Sequence, residues 1–360
     1  MRITFLRFID HSAEFGPVLP TCAVENIKAT ARPTSGSSRR YLADGGRLCL
    51  GEIVLTPTER SVETNGVTLK VTEAGERGSP VVVLAHGFPE LGYSWRHQIP
   101  VLAAAGYHVL APDQRGYGGS SRPEDIDAYN ITELTADIAG LLDDVEAEQA
   151  VIVGHDWGSP VATNFPLFFP ERVSAVVAMS VPPVPRAPAP PTQIWRKIVG
   201  DNFFYILYFQ EPGVADTALG DDPRQSLRRS LAMEGLAEPP ENLADRPLPP
   251  LPDWITADEF ERYVQAYTET GFTGPLNWYR NFDRNWELTE NTPASTITVP
   301  TLFLAGSADP VLSFTPRDRV RDVVTGDYRE ILLDGAGHWL QQERPDEVNR
   351  ALLEFLEEVK

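Results

Sequence analysis

Cysteine is nearly absent: Cys22 and Cys49 are the only two in 360 residues. Two thiols in so long a chain exclude a disulfide framework. Basic charge is also scarce, with 31 Lys and Arg against 51 Asp and Glu, a formal net charge of -20 and a pI near 4.7. Phosphate binding needs a Lys/Arg-rich face, so the balance argues against a nucleic-acid partner. It fits a cytoplasmic enzyme with a well-solvated surface. No uninterrupted apolar run approaches the ~18 residues of a membrane helix, so no membrane span is expected. The start, "MRITFLRFIDHSAEF", does not read as a secretory signal. Arg7, Asp10 and His11 break its apolar stretch, and no small-residue cleavage site follows closely. Internal repeats are lacking too.

What is present is a strong alternation. Residues 1–55 carry no sustained periodicity and read as an N-terminal extension. From about residue 60 the pattern changes. "NGVTLKVTEAG" alternates like an early strand pair. Short apolar runs follow at "VVVLAHG", "GYHVLAPDQRG", "AVIVGHDWG" and "VSAVVAMS". Runs of four to eight β-branched residues bounded by Gly and Pro suit strands buried on both faces. Between them lie the helix-like stretches "SWRHQIPVLAAAG", "ITELTADIAGLLDDVEA" and "SPVATNFPLFFPERV". Strand and helix in alternation predict an α/β fold, a mostly parallel sheet flanked by helices.

The alternation stops at the proline-rich "VPPVPRAPAPP", 181–191. A helical insertion follows, with Pro-rich breaks at 237–252. Strands resume at "TLFLAGSADP" and "YREILLDGAGH", and "DEVNRALLEFLEEVK" closes as an amphipathic helix. The division is therefore an extension (1–55), a core (56–182 and 296–360) and a helical cap (183–295).

In an open parallel sheet the ligand crevice lies beyond the carboxyl ends of the strands. The chemistry-bearing residues sit there. His86-Gly87-Phe88-Pro89 follows one run, Asp113 another, and Asp156 a third. Asp309 and His338 follow the last two. Singly, each has a plain structural explanation as a cap or turn residue. "RGYGGSS" (115–121) lacks the lysine and spacing of a phosphate loop and reads as a structural turn. His155 can pack or bond locally, and His11, His97 and His108 are assigned no role.

Together, Asp156, Asp309 and His338 follow the nucleophile–acid–histidine order of an α/β-hydrolase triad. Gly154 and Gly158 give "GHDWG" the small flanks that a sharp strand-to-helix turn needs. That turn leaves the Trp157 N–H free as an oxyanion donor, and the Phe88 N–H is the natural second donor. A carboxylate is already ionised at neutral pH and needs no base. It suits displacement at tetrahedral carbon. The resulting ester is an acyl compound that His338-activated water can cleave. A halide leaving group calls for N–H donors; an epoxide oxygen calls for phenols.

The insertion contains "FFYILYFQEPG" and "GFTGPLNWYRN". With "HGFPE", "SWRHQ", "DQRGYGGS", "GHDWG" and "GHW", these make the chain resemble the soluble epoxide hydrolase family of α/β-hydrolases from about residue 60 onward. The resemblance implies an enzyme of epoxide detoxification that adds water to an apolar epoxide and gives a vicinal diol. It implies neither metal nor organic cofactor. Its partners are a small-molecule epoxide and water, and a homodimer is compatible with it. Asp156 would be the nucleophile, His338 the base and Asp309 its charge partner. Tyr279 and Tyr205 would be the epoxide-oxygen donors, with Tyr208 the competitor for the second place. Phe88, Pro89, Trp157 and Tyr208 would line the pocket, with Pro89 the cis residue. Haloalkane and fluoroacetate dehalogenases share the core motifs, and a non-catalytic ligand-binding protein is the alternative from another class.

Overall fold

A computed structural model describes residues 56–235, 238–243, 245–315 and 317–360. The expected extension over 1–55 lies outside the described residues.

Eight strands form one sheet in the order β1-β2-β4-β3-β5-β6-β7-β8. They are β1 (Thr58–Thr64), β2 (Val67–Ala74), β3 (Val81–Ala85), β4 (His108–Pro112), β5 (Ala150–His155), β6 (Val173–Met179), β7 (Thr301–Gly306) and β8 (Tyr328–Leu333). β1 and β2 are antiparallel, as are β2 and β4; the pairings from β4 through β8 are parallel. One expectation is corrected here. "NGVTLKVTEAG" holds one strand rather than a pair. Its Asn65-Gly66 is the two-residue hairpin loop, with positive φ at both positions, and the partner strand lies upstream in "TERSVET".

Successive residues of the inner strands point to opposite faces. Val83, Ile152 and Val176 join one core, against Leu134, Ile138, Val161 and Phe165. Those four come from helices α2 (Ile131–Asp144) and α3 (Gly158–Phe168). Val82, Val151 and Val177 join the other core, against Leu102, Leu352 and Phe355, from α1 (Ile99–Ala104) and the C-terminal helix Pro345–Glu358. Fully burying one such side chain is worth about 1.5–3 kcal/mol. That is why β3, β5, β6 and β7 read as continuous apolar runs. β8 is the edge strand and is half-exposed, so its sequence is mixed.

Asn130 starts α2 by accepting the N–H groups of Thr132 and Glu133 at 2.9 and 3.2 Å. The C-terminal helix buries Val348, Ala351, Leu352, Phe355 and Leu356, the spacing of one helical face.

Between β6 and β7 the chain is helical: α4 (Pro191–Val199), α5 (Tyr205–Tyr208), α6 (Val214–Gly220), α7 (Pro223–Leu231), α8 (Pro240–Leu243), α9 (Ala257–Thr270), α10 (Thr273–Arg280) and α11 (Phe282–Leu288). Helices α12 (Leu340–Glu343) and α13 (Pro345–Glu358) follow β8. The 115–121 stretch is a turn fastened to β2. Ser121 Oγ accepts the Thr68 N–H and Ser120 Oγ the Lys70 N–H, each at 2.9 Å. Among the described residues no helix is long and apolar enough to cross a membrane.

Candidate active site

Four chain segments converge at the carboxyl edge of the sheet. Asp156 follows β5 with a φ of 50°, a left-handed conformation that costs a non-glycine residue about 1–3 kcal/mol. The flanking glycines make the turn possible. A Cβ on Gly154 would lie 1.9 Å from the Gly158 carbonyl oxygen, and one on Gly158 would lie 2.0 Å from the Ala85 oxygen. The β5–α3 turn can therefore pass against β3 and aim its carboxylate outward.

The Phe88 N–H donates to Asp156 Oδ1 at 2.8 Å. His338 Nε2 lies 3.6 Å from Asp156 Oδ2. On its other side, His338 Nδ1 donates to Asp309 Oδ2 at 3.0 Å. Asp309 in turn accepts the Val311 N–H at 2.9 Å. The Phe88–Pro89 peptide is cis. Trp157 caps α3, so its N–H lies ahead of the helix's own bonding pattern.

Burial alone would raise the Asp156 carboxyl. The hydrogen bond and charge of His338, the charge of His155 and the Phe88 N–H outweigh it and hold Asp156 below the usual range. Asp309 is lowered too: the charge and bond of His338 and the Val311 N–H overcome its burial. Burial would lower His338, but the Asp309 charge and its bonds to Asp156 and Asp309 push it up to about 10. The two carboxylates flank the His338 imidazole and raise its hold on a proton.

Above Asp156 opens a cavity of about 380 Å³. Phe88, Tyr205, Phe209, Tyr279, His338 and Trp339 are among the residues that line it. The rings of Tyr205 and Tyr279 are 6.0 Å apart. Burial, then the charge of Asp156, raises both phenols, so both hydroxyls stay protonated. Tyr208 also lines the cavity but stands in a different field: after burial, the charge acting on it is Glu241. For Tyr205 it is Asp156 and Asp309. Pro89 lines the cavity as expected from the sequence.

Trp157 corrects an expectation. Its indole is not among the side chains lining the cavity. It packs edge-on to Tyr279, with ring centroids 5.1 Å apart, and against Trp278 and Phe282, and its side chain hydrogen-bonds the Tyr279 hydroxyl. The side chain after a sharp turn is directed by tertiary neighbours, and here it becomes a partner of the phenol.

The sequence also left part of the support unread. His155 Nε2 lies 2.8 Å from the His338 carbonyl oxygen, and Ser180 Oγ donates to the same oxygen at 3.0 Å. His155 Nδ1 meets the fully buried Glu90 at 2.7 Å. Gln341 and Gln342 donate to the other oxygen of Glu90 at 2.9 and 2.8 Å. The available signal was polar residues, Glu90 and the Gln341-Gln342 pair, abutting the "HGFP" and "GHW" segments.

Known proteins resemble this chain. A profile of the alpha/beta hydrolase fold covers residues 80–345. Epoxide hydrolase A of Mycobacterium tuberculosis is 63% identical over 313 residues, spanning 83% of this chain and 97% of that protein. Epoxide hydrolase 3 of Siraitia grosvenorii is 37% identical over 311 residues, covering 82% and 97%. Among solved structures, epoxide hydrolase A from Mycobacterium thermoresistibile superposes with a TM-score of 0.80 at 61% identity, covering 84% of this chain and 98% of that one.

Proposed function

Because the chain belongs to the epoxide hydrolases of the α/β-hydrolase fold, we propose that it opens its substrate through a covalent ester on Asp156. The chain hydrolyses epoxides; the residue roles are our reading. The observation that supports them best is the two-sided setting of Asp156. Oδ1 is held by the Phe88 N–H at 2.8 Å, and Oδ2 faces His338 at 3.6 Å, below two protonated phenols.

In the first step Oδ2 attacks a ring carbon. The carbon–oxygen ring bond breaks, and the departing oxygen takes a proton from Tyr205 or Tyr279. The ester carbonyl is then Oδ1, already at the Phe88 N–H. Alkylation removes the Asp156 charge, one of the influences that raise His338. With that charge gone the His338 proton is held less tightly; it passes to the tyrosinate left by ring opening, and neutral Nε2 can act as a base. His338 takes a proton from water, the hydroxide adds to Cγ, and the oxyanion rests on the Phe88 and Trp157 N–H groups. Collapse breaks the Cγ–Oδ2 bond, His338 returns its proton to the departing alkoxide to complete the diol, and the Asp156 acid then loses its proton to His338. Losing one such donor costs about 10²–10³ in rate.

The aromatic side chains that line the cavity support an apolar epoxide. In this reading residues 183–295 are the cap over a core of 56–182 and 296–360. A cytoplasmic location is supported by the low cysteine content and acidic surface. A homodimer belongs to the same proposal. A dehalogenase would want N–H donors for its halide, whereas the cavity lining offers the phenols of Tyr205 and Tyr279.

The test is one turnover with enzyme in excess in ¹⁸O-labelled water. The expected result is unlabelled diol and label in the Asp156 carboxylate. Label in the diol would mean direct attack of water on the ring.

A further inference from the structure

His338 is carried by a short loop between β8 and α12, and a base on a loop has to be held in place. Its carbonyl is fixed by His155 and Ser180. The amides on either side of it are fixed by one carboxylate. Glu343 Oε2 accepts the Gly337 N–H at 2.7 Å, and Glu343 Oε1 accepts the Trp339 N–H at 2.9 Å. The short helix α12 makes this reach possible: the Glu343 N–H bonds back to the Trp339 carbonyl at 2.9 Å, turning the side chain under the loop. Gly337 leaves room for it, since a Cβ there would lie 2.8 Å from Oε1 and 3.0 Å from Oε2.

We propose that Glu343 is a positioning residue for the hydrolytic half of the reaction, a two-oxygen clamp on the backbone of the catalytic histidine. The proposal rests on the covalent reading above. N–H bonds to an ionised carboxylate are shorter and stronger than neutral ones, so one side chain fixes both amides. Ring opening relies on Asp156 and the cap tyrosines, which Glu343 does not touch. Ester hydrolysis needs His338 Nε2 aimed at a water beside Cγ, where a misplacement of about 1 Å costs about 10²-fold. Glu343 matters for the second step rather than the first.

The experiment is stopped-flow tryptophan fluorescence on the full chain with excess styrene oxide, resolving alkylation from hydrolysis. In Glu343→Gln the ratio of hydrolysis to alkylation rates should fall at least about tenfold, and KM should fall with kcat because the ester accumulates. Glu343→Asp, which keeps the charge, should recover part of the ratio. Gly337→Ala, which pushes the carboxylate from the other side at the flexible end of its side chain, should give the same split. Equal slowing of both phases in these variants, or an unchanged ratio, would overturn the clamp while leaving the covalent mechanism standing. A wild-type chain that places the label in the diol in a single turnover in ¹⁸O-labelled water would instead remove the covalent reading and the clamp with it.

Discussion

At the scale of single residues, the protonation of each buried group is set by its neighbours. Tyr279 illustrates the point. Its ring is wedged among Phe88, Trp157 and Phe209, with centroids 5.0–5.5 Å away. Burial and the Asp156 charge keep its phenol protonated. Tyr279→Phe keeps the ring and its packing but removes the donor. Ring opening should slow by about 10²-fold, with much less change in binding. Pre-steady-state alkylation rates against substrate concentration check this, and an unchanged maximal rate would remove Tyr279 from the mechanism. Much of this scale could be read in advance. Asp156, Asp309 and His338 each end an apolar run, and runs of that kind bring their ends to one edge. The position of the Trp157 ring could not be read, because nothing in "GHDWG" says which neighbours take the indole.

At the scale of elements, the antiparallel edge of the sheet is joined by charge. Glu73 on β2 meets His108 of β4 at 2.7 Å, Arg77 at 3.2 Å and Arg60 of β1. Burial would raise Glu73. The bonds from Arg60 and His108, with the Arg60 charge, instead lower it to about 2 from the usual 4.5. A carboxylate lowered on folding adds stability that is complete above its unfolded value and is lost as pH falls through the folded one. Glu73→Gln should therefore cost about 1–3 kcal/mol near neutral pH. The difference in Tm from wild type should shrink as pH falls from about 5 towards 2. Thermal melts across that range decide it, and a pH-independent difference would contradict the sign. The inner strands were legible from apolar continuity. β1 was missed because an edge strand keeps one polar face, and "TERSVET" shows mostly that face.

At the scale of the molecule, the acidity of the chain continues into its cavity. Asp221, Asp222, Glu234 and Glu241 line it. Arg229, the cation beside them, is committed to Glu234 at 2.7 Å and to the carbonyls of Leu243 and Arg246 at 2.7 and 2.6 Å. With an overall charge of -20, the approach disfavours anions. An epoxide with a terminal carboxylate should show kcat/KM about tenfold below that of its methyl ester in low salt, with the gap closing towards 0.5 M salt, roughly where screening becomes short-ranged. Equal values at low salt would refute this. None of that charge arrangement could be read from sequence, since the carboxylates come from separate segments that converge only in the fold. Asp156, Asp309 and His338 hang from the sheet and Tyr205 and Tyr279 from α5 and α10, whereas α6, α7 and α8 line another part of the cavity. This separation makes the enzyme evolvable in halves. Libraries randomised at Ser226, Ser230 and Met233 can redraw which epoxides are admitted, while the machinery that opens them is inherited intact.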